Sequence, residues 1–254
     1  MGEDVFSQPG AGARFDWGPA GAAELARVCS VLVVVDVLSF TTAVDVAVGR
    51  GMRIHPFPWN QQARAYAERV GAAVAVGRGR TDADHPWSLS PAALMQAPVT
   101  ADLVLPSPNG AAICSAAAST GVPVVAACLR NAGAVAGWLR ANGYGEPSAA
   151  IGVVAAGELW PDGTLRPCVE DLLGAAAVLD GVAQAGAALS VEGAITLAAL
   201  ASVPDVPSAV LRCVSGQELV ERGYADDVTI AVEVNRSSCV PLLVNGAFVE
   251  ASRT

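Results

Sequence analysis

Val31-Leu32-Val33-Val34-Val35, closed by Asp36, decides the fold class. Five apolar residues without alternation, four of them β-branched, mark a strand covered on both faces, the pattern of a parallel sheet's interior. Ser39, Thr41 and Thr42 follow Asp36 where a helical pattern begins that runs to about residue 50. The same succession continues along the chain. Apolar runs at 52–57, 73–76, 103–105, 122–127 and 149–156 predict strands. Helical patterns fall at 61–70, 91–96, 111–119, 132–142, 168–185 and 191–201, with shorter ones at 208–213 and 216–222. Two late apolar runs, 228–234 and 240–244, flank Asn235-Arg236-Ser237-Ser238 and predict a C-terminal β-hairpin. Residues 1–27 read as irregular, turning helical near 20–27. Strands alternating with helices give an α/β fold with a mostly parallel sheet and an antiparallel addition at its end. No repeat or linker divides the chain, so residues 1–254 are read as one unit.

Composition narrows the function classes. At 254 residues, 53 % apolar and only 15 % charged, the chain is too hydrophobic for disorder. No apolar stretch reaches membrane-span length without a charge, Pro or Gly. The first twenty residues carry Glu3, Asp4, Arg14 and Asp16 in place of an apolar leader core. The six cysteines are dispersed and form no C-x-x-C pair, so a buried, reduced role in the cytoplasm is expected. A net charge of −9 argues against nucleic acid as a partner. It also requires any anionic ligand to meet a local cationic patch, helix N-termini or a metal.

Four stretches carry candidate chemistry, each beside a plainer reading. Asp36 with Ser39, Thr41 and Thr42 can place a carboxylate for Mg²⁺ beside hydroxyls and backbone N–H groups for phosphate; equally, Asp36 and Ser39 can cap the helix. Ser107-Pro108-Asn109-Gly110 can bind an anion at a helix start, or serve as a turn. Arg130-Asn131 offers the same choice, with Asn131 as cap and Arg130 as a solvated charge. In Gly157-Glu158-Leu159-Trp160-Pro161-Asp162-Gly163-Thr164-Leu165-Arg166-Pro167-Cys168-Val169-Glu170-Asp171, Pro-Asp-Gly is a turn and Pro167 precedes a helix. Consecutive helical residues diverge by about 100°, so Glu170 and Asp171 cannot both face one ion; both also suit the helix dipole. Glu158 is a further ligand candidate. Arg166 can pair with phosphate or with Glu170. Asp227, in Asp226-Asp227 before the last apolar runs, is a candidate acid or base. His55 is read as a strand residue and His85 as part of a polar loop.

Taken together, these stretches resemble the 2-phosphosulfolactate phosphatase family. The resemblance runs from about Val31 to Val249. It is carried by VVVDVLSFTTAV (33–44), LPSPNGAAI (105–113), LRN (129–131), AAGELWPDGTLRPCVEDLLGAAAV (155–178) and ERGYADDV (221–228). It implies a layered α/β/α fold of two similar, intertwined halves, approximately 1–146 and 147–254, and a Mg²⁺-dependent phosphatase acting on a sulfonated 2-hydroxy acid. The residues matching the family's polar motifs are Asp36, Thr41, Thr42, Asn109, Gly110, Asn131, Gly157, Glu170, Asp171 and Asp227. The chain departs from the pattern where Ser39-Phe40 replaces Arg-Ala, and where Gly77-Arg78 replaces Gly-Glu.

The expectation is therefore a Mg²⁺-dependent phosphomonoesterase for a small, anionic, phosphorylated 2-hydroxy acid. Asp36 with Asp171 or Glu170 would hold the metal. Ser39, Thr41, Thr42, Asn109, Gly110, Asn131 and Arg166 would bind phosphate or substrate, and Glu170 or Asp227 would act as base. The replaced positions 39 and 78 support an alternative: a member that binds an anionic metabolite without turnover. A homodimer is expected from how apolar the chain is.

Overall fold

The computed structural model describes residues 5–251; Glu3 and Asp4, weighed above for a leader, lie outside the described residues. Eleven strands are present among them: β1 (Ala13–Trp17), β2 (Val31–Val35), β3 (Arg53–Pro58), β4 (Ala73–Val74), β5 (Asp102–Ser107), β6 (Val124–Ala127), β7 (Ile151–Ala155), β8 (Glu158–Leu159), β9 (Leu165–Arg166), β10 (Pro241–Val244) and β11 (Ala247–Glu250). The helices are α1 (Gly18–Ala26), α2 (Phe40–Gly49), α3 (Ala63–Val70), α4 (Pro91–Gln96), α5 (Gly110–Ala118), α6 (Ala132–Ala141), α7 (Val169–Gln184), α8 (Val191–Ala201), α9 (Val206–Arg212), α10 (Val214–Glu221) and α11 (Ala225–Ala231). Nine strands form one α/β sheet, ordered β1-β7-β2-β6-β10-β11-β3-β5-β4, and β8 pairs separately with β9.

The β2 run is buried on both faces, as its composition requires. Val31, Val33 and Val35 enter one core with α6 and α7. Leu32 and Val34 enter another with α2 and α5. Helix α2 is itself buried from Phe40 to Val48. It packs against β6, β10, β11 and β3, while α3 covers the outer side of β5. Helices therefore lie on both sides of the sheet.

The sheet contains two parallel blocks, β1-β7-β2-β6 and β3-β5-β4. Between them the β10–β11 hairpin pairs antiparallel at every seam, and three reversals set the second block against the first. From β2 to β5 is five strand steps, roughly 24 Å across a flat sheet. Yet the Gly110 amide, just beyond β5, lies 2.9 Å from Asp36 Oδ2, just beyond β2. The sheet must curl. Twist accumulating at roughly 20–25° a step and seams of one bridged pair on either side of the hairpin allow it. The curl wraps the sheet around α2 and α5 and brings the two strand ends to one cleft.

Two sequence expectations need correction. Residues 228–234 do not form a hairpin strand. Val228, Ala231 and Val232 are buried at helical spacing, and the segment completes α11. The hairpin lies later, with β10 and β11 joined by Asn245-Gly246, both at positive φ, the pairing that a tight hairpin turn favours. In the N-terminal stretch read as irregular, β1 forms a parallel edge strand on β7. Its alternation of Ala13 and Phe15 inward carried that signal.

Candidate active site

Asp36 leaves β2 into a turn that folds back on it. Thr41 Oγ1 donates to the Asp36 carbonyl at 2.7 Å and accepts from the Asp36 amide at 2.9 Å. Thr42 Oγ1 donates to the Val37 carbonyl. The Asp36 carboxylate receives the Phe40 amide on Oδ1 at 3.0 Å and the Gly110 amide on Oδ2. Asp36 thus caps α2, whereas Ser39 makes no side-chain cap bond. Position 110 admits no side chain: a Cβ there would sit 2.6 Å from Asp36 Oδ2 and 2.7 Å from the Phe40 ring. That close approach accounts for glycine after Asn109.

The start of α7 closes the other side. Asp171 Oδ1 accepts the Val37 amide at 2.7 Å, and Oδ2 accepts the Gly157 amide at 2.8 Å. One carboxylate thereby fastens the exits of β2 and β7 to the helix. Glu170 points elsewhere and accepts from Cys213 Sγ at 3.2 Å. The two neighbours diverge, as helical geometry demands. Glu158, just beyond β7, is held on Oε2 by Asn109 Nδ2 at 2.8 Å. Burial raises the Asp36 carboxyl to about 6, against two lowering amide bonds and with help from Glu158 and Glu170. Burial, then Asp36 and Glu170, push Asp171 well above the usual carboxylate range. Burial also raises Glu158, while Asn109 and Arg166 pull it down.

Beside Ser39 stands Arg78. Its Nε donates to Asp227 Oδ2 at 3.0 Å, and its Nη2 donates to Ser39 Oγ at 2.6 Å and to the Leu89 carbonyl. The Tyr224 ring lies 5.5 Å from the guanidinium carbon. Asp227 is 1 % exposed; its other oxygen accepts Ser90 Oγ and the Ala92 amide. A cleft of about 490 Å³ is lined by Asp36, Asn109 and Glu158 together with Arg78, Arg80 and Arg222. A larger hollow of about 820 Å³ lies around Asp45 and Arg130. The buried charges there pair with each other, so the smaller cleft, where Asp36 and Glu158 have no cation in hydrogen-bond contact and three arginines share the lining, is the better candidate.

A model of the 2-phosphosulpholactate phosphatase family matches residues 20–246. The chain belongs to that family. None of the curated proteins compared with it matches.

In this phosphatase family member, the two positions that depart from the motif pattern meet: the Arg78 guanidinium rests on the Ser39 hydroxyl. Among the residues singled out from sequence, Asp36, Ser39, Asn109 and Glu158 line the cleft, and Gly110 supports Asp36 through its amide. The others have different surroundings. The Thr41 and Thr42 hydroxyls are buried and bonded to backbone, and the amides expected to cradle phosphate already serve Asp36. Asn131 does not cap its helix. Its amide is fully buried, accepting from the Cys128 N–H and donating to the Ala126 and Cys239 carbonyls. Arg130 is no solvated charge: it is buried against Asp45 at 2.9 Å and Glu233. Arg166 donates to Ser215 Oγ and lies over Trp160. Asp227 is engaged in positioning Arg78. Sequence reasoning offered Arg78, Arg80 or Arg130 in place of the motif's missing positive charge; Arg78 and Arg80 line the cleft, Arg130 does not, and Arg222 was missed.

Proposed function

We propose that the chain is a Mg²⁺-dependent phosphatase that hydrolyses the phosphate monoester of a small anionic 2-hydroxy acid. The observation that carries the reading is the cleft itself, whose lining combines two carboxylates and a carboxamide with three arginines. The donor set fits Mg²⁺, which takes hard oxygen ligands from one or two carboxylates and completes its shell with substrate phosphate and water. Asp36, Glu158 and the Asn109 side-chain carbonyl would hold it. Further support comes from the buried negative charge at this wall. Glu158 and Glu170 both raise the cost of ionising the buried Asp36, a cost that a cation at this wall would relieve. Bound there, Mg²⁺ supplies charge neutralisation at the phosphoryl group and at the leaving oxygen.

The chain's own groups do the remainder. Arg78, Arg80 and Arg222 bind the anionic ester against a molecular charge of −9. Asp171 keeps the loops after β2 and β7 together, so that Asp36 and Glu158 hold their spacing. Asp227 and Glu170, expected as bases, are engaged by Arg78 and by Cys213. All six cysteines are free, which supports a reducing, cytoplasmic setting. No single helix among the described residues is long and apolar enough to cross a membrane.

The test is phosphate release from a panel of phosphorylated 2-hydroxy acids, with Mg²⁺ and with EDTA, for wild type and Asp36→Asn. The proposal expects turnover that EDTA removes and that the variant lacks. Full activity in Asp36→Asn, or turnover indifferent to EDTA, would overturn it. Tight binding without turnover would favour the metabolite-binding alternative.

A further inference from the structure

We propose that Arg78 is the specificity-determining residue of the cleft, taking a carboxylate on the carbon that bears the phosphate ester, and that Asp227 is the positioning residue that aims it. The inference rests on the hydrolase reading for its kinetics, but its geometry stands apart. Arg78 is held at three points: Asp227 on Nε, and Ser39 Oγ and the Leu89 carbonyl on Nη2. The Tyr224 ring covers its face. Among the described residues Nη1 has no hydrogen-bond partner, the side chain keeps 17 % exposure, and the residue lines the same cleft as Asp36. A guanidinium so pinned loses little freedom on binding and presents the two remaining N–H groups of Nη1 in a fixed direction, as donors to the oxygens of an anionic substituent. Asp227 contributes nothing else to the cleft. Its second oxygen holds Ser90 and Ala92 at the start of α4, which ties the direction of Arg78 to a rigid element.

The test compares 2-phospholactate with isopropyl phosphate, the same secondary ester with a methyl group in place of the carboxylate. Its readout is the ratio of the two kcat/KM values. Arg78→Ala should lower that ratio roughly ten- to hundredfold, the usual scale for a lost hydrogen bond to a charged group, through KM for 2-phospholactate. Arg78→Lys keeps a cation beside Asp227 but loses the aimed Nη1 donors; the ratio should fall there too. Asp227→Asn should shift the ratio in the same direction, whereas a merely structural role would scale both esters alike. An unchanged ratio in the two Arg78 variants overturns the proposal. If wild type hydrolyses neither ester, the hydrolase reading fails, and calorimetric affinities decide on Arg78 alone. Preference for 2-phospholactate that Arg78→Ala erases supports the assignment; equal affinities, or no binding of either ester, overturn it.

Discussion

Replacing Asp36 by Asn should destabilise the protein at low pH and no longer do so at neutral pH. In the folded protein this carboxyl is raised from 3.8 to about 6. The folded state therefore keeps the proton more tightly than the unfolded chain between those values. Stability from this group is fully present below the unfolded pKa and is lost as pH rises through the folded one. A displacement of about two units corresponds to a loss on the order of 3 kcal/mol. Asn cannot titrate and removes that loss. It carries a cost of its own, because Asp36 accepts two amides and Asn can accept only one while its NH₂ faces the other. Leaving the Gly110 N–H unsatisfied costs about 1–3 kcal/mol. The variant should thus be less stable than wild type at pH 4, and equal or more stable at pH 7.

Urea unfolding in EDTA, followed by tryptophan fluorescence from pH 4 to 7.5, measures both curves. The difference between them isolates Asp36, together with the relief that its loss gives Asp171, whose carboxyl Asp36 raises. Mg²⁺ added at pH 7 should then stabilise wild type and leave the variant unmoved, as expected for a ligand that binds one folded protein and not the other. Parallel stability curves, with the difference constant across the range, would refute the reasoning: Asp36 would then not be the buried, charge-crowded group described above.

Three other substitutions test the frame. Gly110→Ala places a methyl group 2.6 Å from Asp36 Oδ2; a destabilisation of about 1–3 kcal/mol with loss of turnover should appear in urea titrations and phosphate release. Asp171→Ala releases the Val37 and Gly157 amides and should cost about 2 kcal/mol or more, with faster amide hydrogen exchange at residues 37 and 157. Arg130→Ala leaves the buried Asp45 carboxylate without its partner. It should destabilise by about 3–5 kcal/mol in the same titration, a result no solvent-exposed arginine would give.

Local chemistry made part of this legible in sequence. β2 is readable because five apolar residues in a row leave no solvent face, and Asp36 because a charge ends them. Asn109-Gly110 and the turn at Asp162 are likewise local: Asp162 bonds the Thr164 amide and hydroxyl two residues on. Partner choice was not legible. Arg78 meets Asp227 across 149 positions, and Arg130 meets Asp45 across 85. The first depends on helices α4 and α11 packing together, the second on α2 packing over β6. Spacing along the chain says how residues share a face, and nothing about which distant face will cover them. Thr41, Thr42 and Asn131 show the other limit: polar side chains at a strand end look alike whether they turn to a ligand or back to the main chain.

The charge distribution carries a last prediction, on the order of binding. With Arg78 held partly in check by Asp227, the cleft of a −9 molecule sets Asp36 and Glu158, backed by Glu170, against an incoming phosphate ester. On the proposed reading, a divalent cation at Asp36 and Glu158 does more than assist the chemical step; it relieves the repulsion that opposes binding itself. Inorganic phosphate should therefore bind more tightly with Mg²⁺ than with EDTA. By thermodynamic reciprocity, phosphate should tighten Mg²⁺ by the same factor, of the order of 5- to 150-fold for a coupling of about 1–3 kcal/mol. Calorimetric titrations in both orders measure the two factors independently. Asp36→Asn, with one charge fewer at the wall, should bind phosphate better than wild type in EDTA and gain less from Mg²⁺. Phosphate affinity that ignores the metal in both proteins would place the anion away from the carboxylates, and the cleft would lose its claim to be a site for metal and ester together.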